Sequence, residues 1–255
     1  MTLLHSIIFG IVEGITEFLP ISSTAHLILT ARVLHLEQSE FQKTFEIVIQ
    51  LGAILSVVVL YWKSLVIDRV VLLRVLAAFI PTAIIGLLLH KVVRNILFES
   101  EQTILWALFI GGIVLILFEM LHSESPRATA EMKQITLRQA AIIGCFQALA
   151  IIPGVSRSAA TIIGGMLFGV SRQTIVTFSF LLAIPTMLAA SALDLLKTGT
   201  HYSGNEYGML AVGFVVSFLV ALVVIRWFLQ YIKNHTFIPF GIYRVLVALM
   251  FWFVY

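Results

Sequence analysis

The stretch Gly10–Pro20, GIVEGITEFLP, places Glu13 and Glu17 one helical turn apart in an otherwise apolar segment. The polar run SSTAH follows directly at residues 22–26. An ionisable side chain inside a bilayer costs at least about 2.5–3.5 kcal/mol on insertion scales, and such side chains usually line a cavity, a pathway or a reaction site. The segment therefore predicts both a membrane setting and the position of the chemistry.

The composition is that of an integral membrane protein. The chain has 255 residues, 60% of them hydrophobic and 11% charged, and its mean hydropathy is +1.05. A soluble domain is typically about 25% charged, so a water-soluble fold is excluded. The net charge of +3 is small, and the basic residues stand between apolar stretches, which favours membrane orientation over nucleic-acid binding. The single cysteine, Cys145, excludes an intrachain disulfide and a cysteine-based metal site.

Two apolar segments are interrupted. Pro20 and the Ser-Ser-Thr cluster break segment 3–34, and the sequence PGVSRS at 153–158 breaks segment 137–170. Irregular backbone at membrane depth is tolerated only where protein or a wet cavity satisfies its amides, so we predict two re-entrant helix–loop–helix hairpins. Six further segments have the length of complete transmembrane helices: 45–62, 71–90, 102–121, 172–192, 208–230 and 238–255.

The two interrupted segments resemble each other at a constant offset of 134 residues. The aligned pairs are Glu13 with Gln147, Ser22 with Ser156, Thr24 with Ser158, and Ala25 with Ala159. Three spans follow each hairpin, so the second half is inverted relative to the first. We therefore predict one all-α, polytopic membrane domain over 1–255, built from inverted-topology repeats at about 1–121 and 137–255. The functional site of such a fold lies at the junction of its halves.

The basic residues predict the orientation, because cytoplasmic loops carry an excess of Lys and Arg. The side holding the termini carries five: Arg32, Lys43, Lys91, Arg94 and Lys197. The other side carries ten: Lys63, Arg69, Arg74, Arg127, Lys133, Arg138, Arg172, Arg226, Lys233 and Arg244. The second side is predicted to be cytoplasmic, so the termini and the mouth of the first hairpin face outward. No separate cleavable signal peptide is predicted, because the first apolar stretch leads directly into the glutamates.

The paired carboxylates indicate metal or proton chemistry. Glu13 and Glu17 share one helical face and repel each other, and a shared proton or a divalent cation relieves the repulsion. Glu46 and Gln50 are also four residues apart, near the start of a span. Glu46 and Gln50 either extend the polar cavity around Glu13 and Glu17 or are solvated at the helix end. Glu119, near the end of a span, is predicted to be solvated.

Three hydroxyls and one imidazole follow the carboxylates. Ser22, Ser23 and Thr24 come after Pro20, which favours a break in the helix. They can cap the next helix, whose N-terminus favours anions such as phosphate, or one of them can be a nucleophile. His26 is close enough to exchange a proton with Ser23 or with a phosphate oxygen.

Arg157 supplies a cation in the second interrupted segment. Its guanidinium needs a carboxylate or phosphate partner at membrane depth, so it either pairs with Glu13 or Glu17, or binds a ligand, or does both if the pair opens. The combined groups fit hydrolysis of a phosphoanhydride, in which a metal and Arg157 neutralise phosphate oxygens while a Ser or His attacks phosphorus or activates water. A lipid-linked substrate would explain a site buried in a bilayer.

The chain resembles the bacterial undecaprenyl-diphosphate phosphatase family, also called bacitracin resistance protein. The matching segments are VEGITEFLPISSTAH at 12–26, KTFEIVIQLG at 43–52, IGCFQ at 143–147, PGVSRS at 153–158 and FIPF at 237–240. Ala25 and Ala159 depart from this pattern, since glycine is usual at both positions. The substitutions fall at matching places in the two halves, and we expect altered loop packing rather than lost activity.

The resemblance implies a metal-dependent phosphatase of the bacterial inner membrane that converts undecaprenyl diphosphate to undecaprenyl phosphate and confers bacitracin resistance. The implied catalytic residues are Glu13, Glu17, Ser23, His26 and Arg157. Arg157, Ser22, Thr24, Ser156 and Ser158 would bind the diphosphate, and Glu13 and Glu17 a divalent cation, Mg or Ca. Ser23 is favoured as the nucleophile over His26, with His26 or Glu17 assisting.

Two other classes of protein fit the same architecture. A transporter or flippase of a lipid phosphate or small anion could use the same inverted halves, since fold does not fix function. A scaffold with a structural polar core is a weaker alternative. The expected partners are a polyprenyl diphosphate and membrane lipid, without nucleic acid, and a homodimer is possible.

Overall fold

In the computed structural model, the described residues are 1–36, 39–96, 101–195 and 202–254. Lys197, counted above on the outward side, lies outside them, as does Tyr255 at the end of the predicted sixth span. The described residues form ten α-helices: α1 Leu3–Thr16, α2 Ser23–Val33, α3 Glu40–Val66, α4 Arg69–Ile96, α5 Glu101–Leu121, α6 Leu137–Ala148, α7 Arg157–Leu167, α8 Arg172–Leu195, α9 Gly204–Tyr231 and α10 Ile238–Val254.

The all-helical architecture expected of a polytopic membrane protein is confirmed. Within the described residues, five helices are long and apolar enough to cross a membrane: Glu40–Ser64, Arg69–Leu89, Glu101–Leu121, Arg172–Leu193 and Gly204–Tyr231. The predicted sixth span corresponds to α10, a single apolar helix of 17 residues. The start of α3 differs from the predicted residue 45, because the Ser39 side chain caps the helix at Glu40 by accepting the Gln42 N–H at 3.1 Å.

Both predicted interruptions are present in the structure. In the first, α1 ends at Thr16 and α2 begins at Ser23. In the second, α6 passes into a single 3₁₀ turn at Leu149–Ile151, and the chain then bends at Gly154, where φ is +93°. That φ lies in the left-handed region, which glycine adopts without a steric penalty. The side chain of Ser156 then caps α7 by accepting the Ala159 N–H at 3.2 Å.

The turn between α1 and α2 lies in the largest apolar cluster of the described residues. Phe18, Leu19 and Ile21 are buried in it with residues of α7 and α8. Phe18 packs edge-on against Phe180, with ring centroids 5.3 Å apart. The helices pack in pairs around this centre, α1 on α9, α4 on α6, α3 on α8 and α5 on α10. The turn between α1 and α2 is therefore held inside the helix bundle, in a cluster that includes residues of α3, α4, α7 and α8.

Glu119 is buried, so the prediction that it is solvated is wrong. Its side chain is 2% exposed and accepts hydrogen bonds from Arg172 Nη2 at 2.9 Å and from the Phe237 N–H at 3.0 Å. A buried carboxylate is tolerated where charge and hydrogen bonds compensate its lost hydration. The contact joins the end of α5 to the starts of α8 and α10.

Candidate active site

Glu17 is the centre of the polar cluster. The Ser23 hydroxyl donates to Glu17 Oε2 at 2.5 Å, and Arg157 Nη2 donates to Glu17 Oε1 at 3.3 Å. Arg157 Nη1 also donates to the Ser179 carbonyl at 2.8 Å. The side chains of Arg157 and Glu17 are 11% and 5% exposed. The predicted contact between Arg157 and the first interrupted segment is therefore present. The carboxylate that pairs with Arg157 is Glu17.

Ser156 and Ser158 contact the backbone of the first hairpin. The Ser158 hydroxyl donates to the Phe18 carbonyl at 3.0 Å, and the Ser156 hydroxyl lies 3.5 Å from the Leu19 carbonyl. Both hydroxyls therefore join the two loops. The predicted role of these serines in diphosphate binding stays a prediction.

Glu13 is fully buried, and among the described residues no hydrogen-bond donor reaches either of its carboxylate oxygens. Glu17, Glu46 and Arg157 are its electrostatic neighbours. The interpretation that Glu46 and Gln50 extend the same cavity stays a prediction. Gln50 is half-buried one turn further along α3.

His26 is held by two hydrogen bonds, neither of them to Ser23. Its Nδ1 lies 2.7 Å from the Ser22 carbonyl, and its Nε2 lies 2.9 Å from the Tyr243 hydroxyl. Ser22 has a φ of +72°, a conformation that costs a non-glycine residue about 1–3 kcal/mol and tends to occur at functional sites. Although Ser22 stands at the N-cap of α2, its hydroxyl makes no cap bond. Thr24 is half-buried in the first turn of α2.

The prediction that Arg244 is one of the ten basic residues of the cytoplasmic side is wrong, because its side chain is buried in the helix bundle. The residue is 1% exposed and donates to four backbone carbonyls. The acceptors are Pro20 at 3.3 Å, Gly154 at 3.1 Å, Ala107 at 3.0 Å and Leu108 at 3.3 Å. One side chain therefore joins both hairpin tips to α5. The sequence signal that could have identified this role is the position of Arg244 inside the predicted span 238–255, because an intramembrane charge indicates a functional or structural site.

Gln147, which aligns with Glu13 at the offset of 134 residues, lies in a neutral polar cluster. Its Nε2 donates to Thr82 Oγ1 at 3.0 Å and to Thr186 Oγ1 at 2.9 Å. The two threonines end the Ile-Pro-Thr sequences at 80–82 and 184–186, which echo each other along the chain. The second hairpin thus carries an amide where the first carries a carboxylate.

Comparison with known proteins gives a consistent result. The family described as bacitracin resistance protein BacA matches residues 6–250. Similar proteins named undecaprenyl-diphosphatase come from Aquifex aeolicus (49% identical over 251 residues, 98% of each chain) and Sulfurihydrogenibium sp. (45% over 255 residues, 100% of each chain). A third, with the same name, comes from Wolinella succinogenes (46% over 253 residues, 99% of this chain and 98% of the relative). By the extent of these matches, the chain belongs to the bacitracin resistance protein family.

Proposed function

We propose that this protein is an integral membrane phosphatase that hydrolyses undecaprenyl diphosphate to undecaprenyl phosphate and inorganic phosphate, and that it confers bacitracin resistance. Relatives that are 45–49% identical over nearly their whole length carry the name of this activity. The observation that carries the proposal is the 2.5 Å hydrogen bond from the Ser23 hydroxyl to Glu17, beside Arg157. It pairs a nucleophile with a base at a cationic site.

In the proposed reaction, Ser23 Oγ forms a bond to the terminal phosphorus while its proton passes to Glu17. The bridging P–O bond breaks, and undecaprenyl phosphate leaves with that proton. Water then cleaves the serine phosphate, with Glu17 as the base, and inorganic phosphate and Ser23 result. Glu17 is the better candidate for the base than His26, because both ring nitrogens of His26 are bonded to other groups.

Phosphate oxygens would be bound by charge and by a helix N-terminus. The Arg157 fork matches two phosphate oxygens, and its pair with Glu17 would open or rearrange when the ligand arrives. The N-terminus of α2 has no side-chain cap, so its first amides can bind an anion. Ser22 and Thr24 stand at this helix start. Ser156 and Ser158 are proposed to support the site by holding the two loops together.

A divalent cation, Mg or Ca, is proposed at Glu13 and Glu17. The two undonated oxygens of buried Glu13 fit a cation, since Mg²⁺ is often held by one or two carboxylates plus water and substrate phosphates. Within the described part of the chain, no three His, Cys, Asp or Glu side chains are grouped to hold a metal ion, so substrate or water oxygens would complete the ligand set. Such a cation would neutralise charge on the diphosphate.

We further propose that the helices form six spans and two re-entrant hairpins in inverted repeats. Gln139, at the start of the second hairpin, donates to the Phe168 carbonyl just beyond its end at 2.8 Å, which supports a return to the side of entry. At the first hairpin, Met1 and Leu34 pack in one apolar cluster. In the proposed repeats, α1 corresponds to α6 and α9 corresponds to α4. The packing of α1 on α9 and of α6 on α4 is therefore the same contact made in both repeats.

The proposed location is the bacterial inner membrane, with the active site opening to the periplasm. Removing buried Arg244 from the inner group leaves nine basic residues there against five on the outer side, so the proposed orientation stands. A reporter fused to the C-terminus should be active only outside the cytoplasm. Activity only in the cytoplasm would overturn the orientation.

Phosphate release by the purified protein tests the function. Wild-type protein should release phosphate from undecaprenyl diphosphate, and Glu17→Ala and Arg157→Ala should not. Glu131→Gln, at an exposed loop position, is the matched control and should keep wild-type activity. A lipid-phosphate or anion transporter would move its ligand across vesicles without releasing phosphate, and that result would overturn the proposal.

A further inference from the structure

The hydrogen bonds of His26 fix the position of its ring proton. A carbonyl oxygen can only accept, so the 2.7 Å contact with Ser22 requires the proton on Nδ1. In the neutral ring, Nε2 then carries the lone pair and accepts from the Tyr243 hydroxyl at 2.9 Å. The ring nitrogen that would bind a phosphate, or exchange a proton with it, is therefore covered by a phenol.

Tyr243 lies between His26 and the outside of the bundle. The two rings are stacked, with centroids 5.5 Å apart and planes 7° from parallel. His26 is 8% exposed, whereas Tyr243 is 43% exposed. The tyrosine ring therefore covers the imidazole on the side that faces the outside of the bundle.

The face of α10 that carries Tyr243 is suited to lipid. Tyr243 shares it, at helical spacing, with Leu246, Met250 and Phe253, and all three are more than half exposed. An exposed apolar stripe of this kind is expected on a helix that faces hydrocarbon. Tyr243 is the polar member of the stripe, and its hydroxyl points inward to His26.

The seam between α2 and α10 is apolar on the outer side of the His26–Tyr243 pair. Ala25 and Leu29 of α2 belong to one buried cluster with Ala248 and Phe251 of α10. A cleft of about 190 Å³ continues along the same two helices and α5, and its lining is apolar at Ile28, Leu29, Ile104, Leu105, Phe251 and Trp252 and polar at Arg32, Glu101 and Gln102. A prenyl chain could therefore lie along the apolar part of this seam while its headgroup reaches His26.

We propose that this seam is a lateral entrance for the lipid diphosphate and that Tyr243 is its gate. This inference rests on the proposed function. The headgroup enters from the bilayer between α2 and α10, and a protonated oxygen of its terminal phosphate replaces the tyrosine hydroxyl as the donor to His26 Nε2. Lateral entry keeps the hydrocarbon tail out of water, because exposure of apolar surface is unfavourable in proportion to its area.

Kinetics of Tyr243→Phe test the gate without removing the ring. Phosphate and the tyrosine hydroxyl compete for His26, so loss of the hydroxyl should raise kcat/KM for a long-chain polyprenyl diphosphate in vesicles about 2- to 10-fold, the range of one net hydrogen bond. Ile242→Ala, an exposed neighbour on α10, should match wild type. A fall in kcat/KM for Tyr243→Phe would mean that the hydroxyl serves the chemistry, and would overturn the gate.

An accessibility measurement tests the entrance independently of turnover. In a Cys145→Ala background, the thiol of the His26→Cys variant is labelled with an uncharged, lipid-soluble maleimide. Labelling should be at least tenfold faster when Tyr243→Ala is also present. With Ile242→Ala instead, the labelling rate should be unchanged. Equal rates with and without Tyr243→Ala would overturn the proposal, as would labelling only by a charged, membrane-impermeant maleimide. If wild type releases no phosphate, the proposed function fails, while the labelling result still decides whether the entrance exists.

Discussion

The Ser23 hydroxyl lies 2.5 Å from Glu17 Oε2, although the two residues are separated by the break between α1 and α2. The turn of the chain at Pro20 brings them together, and the second hairpin adds Arg157 on the other oxygen of the same carboxylate. The cluster therefore depends on one local bend and one long-range contact.

Ser23→Ala should reduce phosphate release by about 10²–10⁴-fold or more, because the base then has no hydroxyl proton to accept. A phosphorylated intermediate trapped in wild-type protein should map to Ser23 by mass spectrometry. Ser125→Ala, in an exposed loop, should behave as wild type. A phosphate found on His26 would reverse the assignment of the nucleophile.

Arg157→Lys should lower kcat/KM by about 10- to 150-fold, corresponding to one charge-assisted hydrogen bond of about 1.5–3 kcal/mol. Lysine keeps the charge but cannot contact Glu17 and the Ser179 carbonyl with one planar fork. Steady-state kinetics measure the effect, and Arg138→Lys, at an exposed position on α6, is the control. Wild-type kinetics in Arg157→Lys would show that charge alone is required.

Glu13→Gln should raise the cation concentration needed for half-maximal activity by about tenfold or more, since affinity follows the number of charged ligands. Titration of Mg²⁺ or Ca²⁺ into chelator-treated protein measures this shift. Glu131→Gln should titrate like wild type. Phosphate release that persists unchanged in excess chelator would count against the metal role.

Arg244→Ala should destabilise the fold by more than about 1–3 kcal/mol, the cost of leaving one buried group without its partner. Four carbonyls lose the Arg244 guanidinium as a donor in this variant. Thermal unfolding in detergent should show a lower Tm, with activity lost at temperatures where wild type is active. Arg226→Ala, exposed on α9, should unfold like wild type; equal Tm values for the two variants would contradict the structural role of Arg244.

Gly144→Ala should destabilise the protein by about 1–3 kcal/mol, as overpacking typically does. A Cβ at Gly144 would collide with the Ala78 carbonyl of α4, and one at Gly10 would lie 2.8 Å from the Gly213 carbonyl of α9. Gly10→Ala should therefore have a similar effect if the halves are related. Gly208→Ala has open space around its new methyl group and should be neutral or slightly stabilising in the same unfolding measurement.

The helix breaks and the chemical groups of the site could be predicted because their signals are local. Pro20 and the Pro153-Gly154 pair limit the backbone within a few residues of themselves. Glu13 and Glu17 stand out because charge is costly in an apolar segment. The expected ion pair of Arg157 also followed, since a guanidinium at membrane depth needs an anion.

The partners of Tyr243, Arg244 and Glu119 could not be predicted in the same way. His26 and Tyr243 are 217 residues apart, and Arg244 and Pro20 are 224 residues apart. The packing of α10 against α5 decides which face of α10 turns inward. Because nearly every face of that helix is apolar, its sequence does not identify the inward face. Glu119 was misjudged for the same reason, because its partners Arg172 and Phe237 come from other helices.

Local chemistry in the chain was thus enough to specify a helical membrane protein, the two bends, the acidic and hydroxyl groups and the family. Long-range packing settled which oxygen of Glu17 meets Arg157, what covers His26, and how Arg244 ties both loops to α5. The physical reason is that proline, glycine and buried charge act over a few residues, whereas a hydrogen-bond partner at membrane depth is selected by whichever helix lies alongside.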